Sequence, residues 1–257
     1  MRQGLLSVLR DLATRRGRER RGLARAEGVR LVEEALAAGE PVPGAAVGPA
    51  LEGTPRGRAL KAALEAAGVP LEALDDTALA ELADTEQPQG IVAAVRPPAW
   101  TLEHVAARPG RAVLVLDAVQ DPGNVGTMLR SAFALGAAGV VALPGTAELH
   151  NPKALRGAMG ATFRLPCVAA PLAALEAWLD RHATPLWAAD LAGDDAHALG
   201  PRPPRVALAV GNEGAGVGGA LLARAARRVR IPLADGAESL SVGAAAAILL
   251  HELRRDA

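Results

Sequence analysis

The chain has few of the residues that carry redox, metal or stacking chemistry. It contains one cysteine, Cys167, no tyrosine, two phenylalanines and three tryptophans in 257 residues. A single cysteine excludes a disulfide framework and a cluster of thiolate ligands. The five histidines show no metal-ligand spacing. We therefore expect a reducing environment and a mechanism without a metal.

Long hydrophobic runs are also missing. No apolar stretch reaches the length of a membrane span, and the first residues do not have the pattern of a signal peptide. Apolar residues make up 50% of the chain and charged residues 22%, which is typical of a folded globular protein. These features predict a cytoplasmic protein.

The net charge is zero, but positive charge is concentrated at one end. Residues 1–30 contain nine arginines against three acidic side chains. This excess predicts a basic N-terminal arm, residues 1–25, that attracts phosphate without reading a sequence. A solvated helix face explains the same charges equally well. The candidate phosphate contacts are Arg15, Arg16, Arg18, Arg20 and Arg21.

The pattern of apolar residues divides the chain into two domains. Residues 1–97 alternate short helices, such as Ala26–Ala38 and Gly57–Ala67, with strands such as 90–95, which predicts a small α/β domain. Residues 96–110 carry Pro97, Pro98, Pro109 and Gly110 around a weak helical patch, which predicts a linker at residues 98–110. Residues 111–257 alternate strands and helices in the rhythm of a parallel sheet.

Three loops of this second domain are rich in Gly, Asn, Pro, Ser and Glu. They follow the predicted strands Ala112–Leu116, Val206–Val210 and Val229–Ile231. Ligands of parallel sheets bind at the carboxyl ends of the strands, so these loops are the predicted site. In the first loop, Asn124 could cap the following helix and Arg130 could reach back toward the loop. The same residues are also expected if Asn124 only caps the helix and Arg130 is an ordinary surface residue.

The second loop contains Gly214-x-Gly216-x-x-Gly219, which matches a dinucleotide-binding fingerprint. Such a fingerprint normally opens its domain, whereas this one lies near the end of the chain, so we reject that interpretation. In the third loop, Ser239 or Ser241 can cap the last helix. The small residues Gly243–Ala247 on that helix allow close approach of a ligand, of another helix, or of both.

The order and content of the three loops resemble the SpoU/TrmH family of SPOUT-class RNA 2′-O-ribose methyltransferases. The motifs are Asp121-Pro-Gly-Asn-Val-Gly with Arg130, Gly211-Asn-Glu-Gly-x-Gly, and Ile231-Pro followed by Glu238-Ser-Leu-Ser-Val. The similarity extends to Asn151-Pro-Lys with Arg156, and to Ala26-Glu-Gly-Val in the first domain. It covers nearly the whole chain.

The resemblance implies an α/β fold with a C-terminal parallel-sheet methyltransferase domain knotted as a trefoil, preceded by a small ribosomal-protein-like domain that binds the RNA substrate. It further implies a homodimer that uses S-adenosylmethionine. We expect structured RNA as substrate, with 23S ribosomal RNA favoured and transfer RNA second. A non-catalytic RNA-binding or ribosome-assembly protein of the same fold is the alternative.

The resemblance also assigns residues. The catalytic candidates are Arg130, Asn124, Glu213, Ser239 and Ser241, and the cofactor-binding candidates are Gly211, Asn212, Glu213, Ile231, Pro232 and Leu240. Guanidinium groups stay protonated near neutral pH, so Arg130 is expected to orient the 2′-hydroxyl. Ser241 stands where the family commonly has Asn, which puts that contact in doubt. With so few aromatic residues, RNA recognition is expected to depend on phosphates and RNA shape.

Overall fold

The structure, a computed structural model, describes residues 4–85, 87–106 and 108–254. The first three residues of the predicted basic arm and the last three of the predicted second domain lie outside the described residues. The chain divides into two compact units. The first unit is Met1–Ala99 with His150–Phe163, and the second is Trp100–Leu149 with Arg164–Ala257. No helix within the described ranges is long and apolar enough to cross a membrane.

Helices and strands alternate along most of the chain. The helices are α1 (Leu5–Asp11), α2 (Arg15–Arg21), α3 (Val29–Ala37), α4 (Pro49–Glu52), α5 (Pro55–Ala66), α6 (Asp76–Ala80), α7 (Pro122–Ala134), α8 (Pro152–Ala158), α9 (Leu172–Arg181), α10 (Gly219–Arg224) and α11 (Val242–Arg254). The strands are β1 (Ala24–Glu27), β2 (Gly44–Val47), β3 (Leu71–Ala73), β4 (Ile91–Val95), β5 (Val113–Leu116), β6 (Gly139–Ala142), β7 (Cys167–Ala169), β8 (Leu186–Asp195), β9 (Ala207–Val210) and β10 (Arg227–Arg230).

The first unit is built on a four-stranded sheet in the order β1-β4-β2-β3. β4 pairs antiparallel with β1 and β2, and β2 pairs parallel with β3. Side chains of a strand alternate between the faces of a sheet, and those of β4 divide in this way. Ile91, Ala93 and Val95 join one apolar core, while Val92 and Ala94 join another. The sheet is therefore covered on both faces.

Residues 4–25 of the basic N-terminal segment are folded, which corrects the prediction of an arm. α1 and the residue that follows it place Leu9 and Leu12 in an apolar core of the first unit, both fully buried. The Thr14 hydroxyl accepts a hydrogen bond from Gly17 N at 3.1 Å, which starts α2, and Gly22 ends that helix in the left-handed region. The segment then continues into β1, so burial of leucines fixes it within the domain.

The segment 150–163 packs within the first unit, although its position in the sequence had placed it in the second domain. Leu155 and Phe163 belong to an apolar core of the first unit. Arg156 contacts two carboxylates there, Glu27 at 3.2 Å and Asp84 at 3.4 Å. Both apolar burial and charge pairing therefore hold this segment to the first unit.

The second unit is built on a six-stranded sheet in the order β10-β8-β9-β5-β6-β7, and every neighbouring pair is parallel. All residues of β5, β6 and β9 are buried, as expected for strands covered on both faces. The predicted α/β class with a parallel sheet is confirmed. Because the strands are parallel, the loops that follow β5, β9 and β10 leave the same edge of the sheet.

The predicted linker, residues 98–110, carries side chains that pack against the core of the second unit. Val105 is buried in that core, and Trp100 and Leu102 pack against it. The indole nitrogen of Trp178 donates to the carbonyl oxygen of Leu102 at 3.1 Å. From Trp100 onward, the segment is therefore part of the second unit.

Candidate active site

The loop after β5 leads directly into α7. The carboxylate of Asp121 accepts a hydrogen bond from Gly123 N at 2.7 Å and caps the helix, which begins at Pro122. This corrects the prediction that Asn124 is the cap. Proline is favoured at the first position of a helix because its missing N–H has no intrahelical partner there. The side chain of Asn124, the third residue of the helix, is consequently available for another contact.

That contact is with Glu213 of the loop after β9. The amide nitrogen of Asn124 donates to the Glu213 carboxylate at 3.1 Å, and Gln120 N donates to the same carboxylate at 3.4 Å. Partial burial raises the pKa of Glu213, but these hydrogen bonds outweigh it, so the pKa lies below its ordinary value. Glu213 is thus an anion that ties two of the predicted loops together.

The second loop, residues 211–218, is held in shape by Asn212. Its side-chain nitrogen donates to Ala118 O at 3.0 Å, and its side-chain oxygen accepts from Gly214 N and Ala215 N at 2.9 and 3.0 Å. The backbone of Asn212 exchanges two further hydrogen bonds with Gly216. Asn212 therefore stabilises the second loop internally and also attaches it to the loop after β5.

Gly211 lies where no side chain fits. A Cβ atom at this position would stand 2.1 Å from the carbonyl carbon of Gly216 and 2.2 Å from the nitrogen of Val217. The chain thus folds back directly onto the end of β9. Glycine at this position permits the close turn, and the turn brings residues 216 and 217 back against the end of β9.

The third loop, residues 231–241, runs from β10 to α11. Of the two serines predicted to cap α11, Ser241 accepts a hydrogen bond from Ala244 N at 3.3 Å. Gly243, in the first turn, is buried against α7, where its Cβ would lie 3.3 Å from the Thr127 side chain and 3.7 Å from the Asn124 side-chain oxygen. The small residues of α11 therefore serve close helix packing beside Asn124.

The second and third loops together line an apolar cavity of about 360 Å³. Its lining residues include Ala189, Asp190 and Leu191 of β8, Gly214–Val217 of the second loop, Ile231, Leu233, Ser239 and Leu240 of the third loop, and Leu222, Ala245 and Leu249 of the flanking helices. Aliphatic side chains and main chain form most of the wall. Such a site can hold a small molecule largely through apolar contact and backbone groups.

An irregularity in β8 forms one wall of this cavity. Ala188 pairs with Arg228, but the next pair joins Asp194 to Val229, so residues 189–193 loop out of the strand. Leu191 in this excursion is 70% exposed. The Asp190 carboxylate accepts from Ala192 N at 2.9 Å and lies 3.2 Å from the guanidinium of Arg228. Exposed apolar surface at a cavity rim is typical of a ligand site.

The predicted cofactor residues divide between the cavity and its support. Ile231 and Leu240 line the cavity, and so does Ser239. Gly211, Asn212, Glu213 and Pro232 are absent from the wall. The sequence does not predict that residues 189–193 leave the pairing, because the irregularity arises from the register between β8 and β10.

Arg130 projects from the middle of α7 and is exposed. It lies six residues after Asn124, a rise of about 9 Å along the helix. Within the described parts of the chain, no hydrogen bond or ion pair of its side chain is found. The structure therefore brings Asn124 and Glu213 together at the start of α7, with Gly243 of α11 beside them and Arg130 further along α7.

The family model described as "SpoU rRNA Methylase family" matches residues 111–251. The chain belongs to this family. A second model, described as "MRM3-like substrate binding domain", matches residues 7–93. The family predicted from the three motifs is confirmed, and so is the N-terminal substrate-binding domain.

Individual relatives in the SpoU family are similar over most of the chain. The "23S rRNA (guanosine(2553)-2'-O)-methyltransferase RlmP" of Bacillus subtilis is 40% identical over 187 residues, which are 73% of this chain and 73% of the relative. The crystal structure of the SpoU methyltransferase AviRb from Streptomyces viridochromogenes, in complex with the cofactor AdoMet, has a TM-score of 0.88 at 30% identity. It covers 99% of this chain and 98% of its own.

A third relative shows the same agreement. The AdoMet-bound rRNA methyltransferase from Sinorhizobium meliloti has a TM-score of 0.87 at 27% identity, covering 99% of this chain and 95% of its own. Both crystal structures contain the cofactor named in their descriptions. The structural similarity of this SpoU family member to the two crystal structures therefore includes the residues of both units.

The five arginines predicted to meet phosphate behave differently from one another. Arg15 and Arg16 are exposed on α2, and Arg20 and Arg21 form ion pairs with Asp11. Arg18 is the exception. It is 5% exposed and donates to the carbonyl oxygens of residues 12 and 13, at 2.9 and 3.0 Å. We therefore remove Arg18 from the candidate phosphate contacts, because its guanidinium holds the turn between α1 and α2.

Proposed function

We propose that this SpoU family member transfers the methyl group of S-adenosylmethionine to a ribose 2′-hydroxyl of 23S ribosomal RNA. One observation carries the proposal. The second loop contacts α7 through Glu213 on one side, and on the other side its residues Gly214–Val217 line the apolar cavity. A cofactor cavity and a polar cluster are thereby joined by one short loop. The named activity of the Bacillus subtilis relative supports the choice of 23S RNA.

The apolar cavity fits the cofactor in size and chemistry. Its volume of about 360 Å³ lies within the range of small-molecule sites. Aliphatic walls suit the adenine ring, the main-chain groups of residues 214–217 that Asn212 does not bind offer hydrogen bonds, and Asp190 supplies the acceptor for a hydroxyl or ammonium group. When bound there, S-adenosylmethionine supplies an electrophilic methyl group. Ile231 and Leu240, which were predicted to bind the cofactor, hold it directly, and so does Ser239, which was predicted as a catalytic residue.

The polar residues around α7 position the substrate. Arg130 orients the 2′-hydroxyl and its neighbouring phosphate, since a guanidinium forms paired hydrogen bonds to oxygens and stays protonated near neutral pH. Asn124 and Glu213 shape the receiving pocket as a hydrogen-bonded pair. The Ser241 hydroxyl caps α11 and thereby supports the third loop. It therefore replaces only part of the contacts that the family asparagine would make at this position.

The remaining family features belong to the same proposal. Arg15, Arg16, Arg20 and Arg21 contact RNA phosphates. The exposed pair of Arg15 with Glu19 contributes little stability and exchanges readily for phosphate, whereas the half-buried pair of Arg21 with Asp11 exchanges less readily. The catalytic domain is a trefoil knot and works as a homodimer in the cytoplasm. Size-exclusion chromatography with light scattering tests the dimer: twice the chain mass supports it, and the mass of one chain at working concentration contradicts it.

Methyl transfer to defined RNA tests the activity. Wild-type protein, tritiated S-adenosylmethionine and an unmodified 23S transcript are expected to give labelled RNA, whereas a transfer-RNA mixture stays unlabelled. Arg130→Ala is expected to lower the rate about a hundredfold or more while the cofactor still binds, because Arg130 does not line the apolar cavity. Labelling of transfer RNA alone would show that transfer RNA, and not 23S RNA, is the substrate. Cofactor binding without labelling of any RNA would favour the non-catalytic alternative.

A further inference from the structure

A second cavity of about 250 Å³ lies in the second unit, at the edge of the sheet opposite to the candidate active site. Its residues precede the strands. Arg111 comes just before β5, Ala137 and Ala138 before β6, and Arg164 before β7. Parallel strands of four residues separate the two edges by roughly 13 Å. We refer to it as the basic cavity.

The charge of the basic cavity is of one sign. Arg108, Arg111 and Arg164 line it together with His104, and none of its described lining residues carries a carboxylate. Arg111 N donates to Arg108 O at 3.2 Å, so a tight turn presents both side chains from one short stretch. All three arginines are exposed. In a chain with zero net charge, such a group is an electrostatic site for an anion.

An aromatic ring stands at the same cavity. Phe133 lines it and is 43% exposed, whereas the other phenylalanine of the chain, Phe163, is buried. Phe133 lies on α7 three residues after Arg130, a rise of about 4.5 Å. Thr127, Arg130 and Phe133 are all exposed residues of this helix. The exposed side of α7 therefore leads from the candidate active site toward the basic cavity.

We propose that the basic cavity binds the RNA strand next to the methylated nucleotide, with one base stacked on Phe133 and the flanking phosphates held by Arg108 and Arg111. The proposal deepens the function proposed above and rests on it. Guanidinium groups recognise phosphates, and exposed aromatic rings stack on unpaired bases regardless of sequence. The requirement for an unpaired base makes the site selective for single-stranded or looped RNA. It also revises the expectation that recognition depends on phosphates and shape alone.

Fluorescence anisotropy with a labelled oligouridylate tests the site. Phe133→Leu keeps an apolar side chain but removes the stacking ring, and it is expected to weaken binding about fivefold or more. The double variant Arg108→Ala/Arg111→Ala is expected to reduce the slope of log K against log salt concentration by about 1.4, which corresponds to two lost phosphate contacts on a single strand. A duplex RNA of the same length is expected to lose no affinity with Phe133→Leu.

Arg224→Ala is the matched control, because Arg224 belongs to the same unit, is paired with Asp180 and does not line the cavity. It should leave the affinity and the salt slope unchanged. Calorimetry with S-adenosylmethionine on the same preparations tests the proposed function separately, and all variants should bind as the wild type does. Unchanged oligouridylate binding by both cavity variants would overturn the proposal. A change of oligomeric state in Phe133→Leu would also overturn it and would make this surface a contact between copies of the chain.

Discussion

The close approach at Gly211 leads to the most specific prediction about the apolar cavity. In Gly211→Ala, the new Cβ would lie 2.1 Å from the Gly216 carbonyl carbon, about 1 Å inside the shortest distance that such contacts tolerate. The contacting atoms are backbone, so Gly216 and Val217 must move away from Gly211 and Asn212. Gly216 and Val217 belong to residues 214–217, which form part of the cavity wall.

The expected loss follows from the hydrogen bonds that this movement breaks. Asn212 and Gly216 exchange two backbone hydrogen bonds, at 3.0 and 2.9 Å. Each is worth about 0.5–1.5 kcal/mol, so distortion of both costs about 1–3 kcal/mol. We expect the dissociation constant for S-adenosylmethionine, measured by calorimetry, to rise roughly 5- to 150-fold.

Gly214→Ala is the matched control within the same loop. Gly214 also lines the cavity, but its Cβ would meet only the Asn212 side-chain oxygen, at an ordinary 3.6 Å. This variant should bind within about threefold of the wild type, and circular dichroism should show that both variants stay folded. Wild-type affinity in folded Gly211→Ala would refute the reasoning, because the loop would then tolerate the displacement.

Three further outcomes follow from individual side chains. Asn124→Ala should raise the pKa of Glu213 toward its ordinary value of 4.5, because a donor that stabilises the carboxylate is lost; NMR titration of the carboxyl carbon measures this, and an unchanged pKa would argue against the pair. Since the pKa of Glu213 is lower in the folded protein than in the unfolded chain, its contribution to stability is present above pH 4.5 and declines as the pH falls. Asp84→Asn should lower the free energy of unfolding in urea by about 1–3 kcal/mol, because it removes a carboxylate partner of the buried Arg25 guanidinium, whereas a loss below about 0.5 kcal/mol would show that the pair contributes little. Burial raises the pKa of the Cys167 thiol, so the folded protein should not react with a thiol reagent that labels the urea-unfolded chain, and rapid labelling under native conditions would contradict that burial.

The sequence predicted β5 and β9 well because their residues are uniformly apolar, and both lie within one residue of their predicted starts and ends. β10 begins two residues before its predicted start, because the arginines at its beginning do not follow an apolar pattern. β7 was missed because it has only three residues and periodicity needs a longer window. α8 was also missed, although Asn151 and Pro152 form a cap and a first helical position of the usual kind.

The sequence predicted which loops form the candidate site more reliably than which side chains of those loops make which contacts. Both Asp121 and Asn124 are residues that cap helices, and only the proline between them indicates which one does so. Burial of Arg18 was invisible because arginine normally marks an exposed position, while its guanidinium here binds the preceding backbone. The β8 excursion depends on pairing with β10, forty residues later, and no local pattern encodes it.

The position of the transferred methyl group tests the central claim most directly. A 23S transcript treated with the wild-type protein and S-adenosylmethionine should be digested to nucleosides and analysed by mass spectrometry. A methyl group on the ribose, which also protects the adjoining phosphodiester from alkaline cleavage, is the predicted result. A methyl group on a base, or an unmodified transcript from protein that binds the cofactor, would contradict the assignment of ribose 2′-O-methylation.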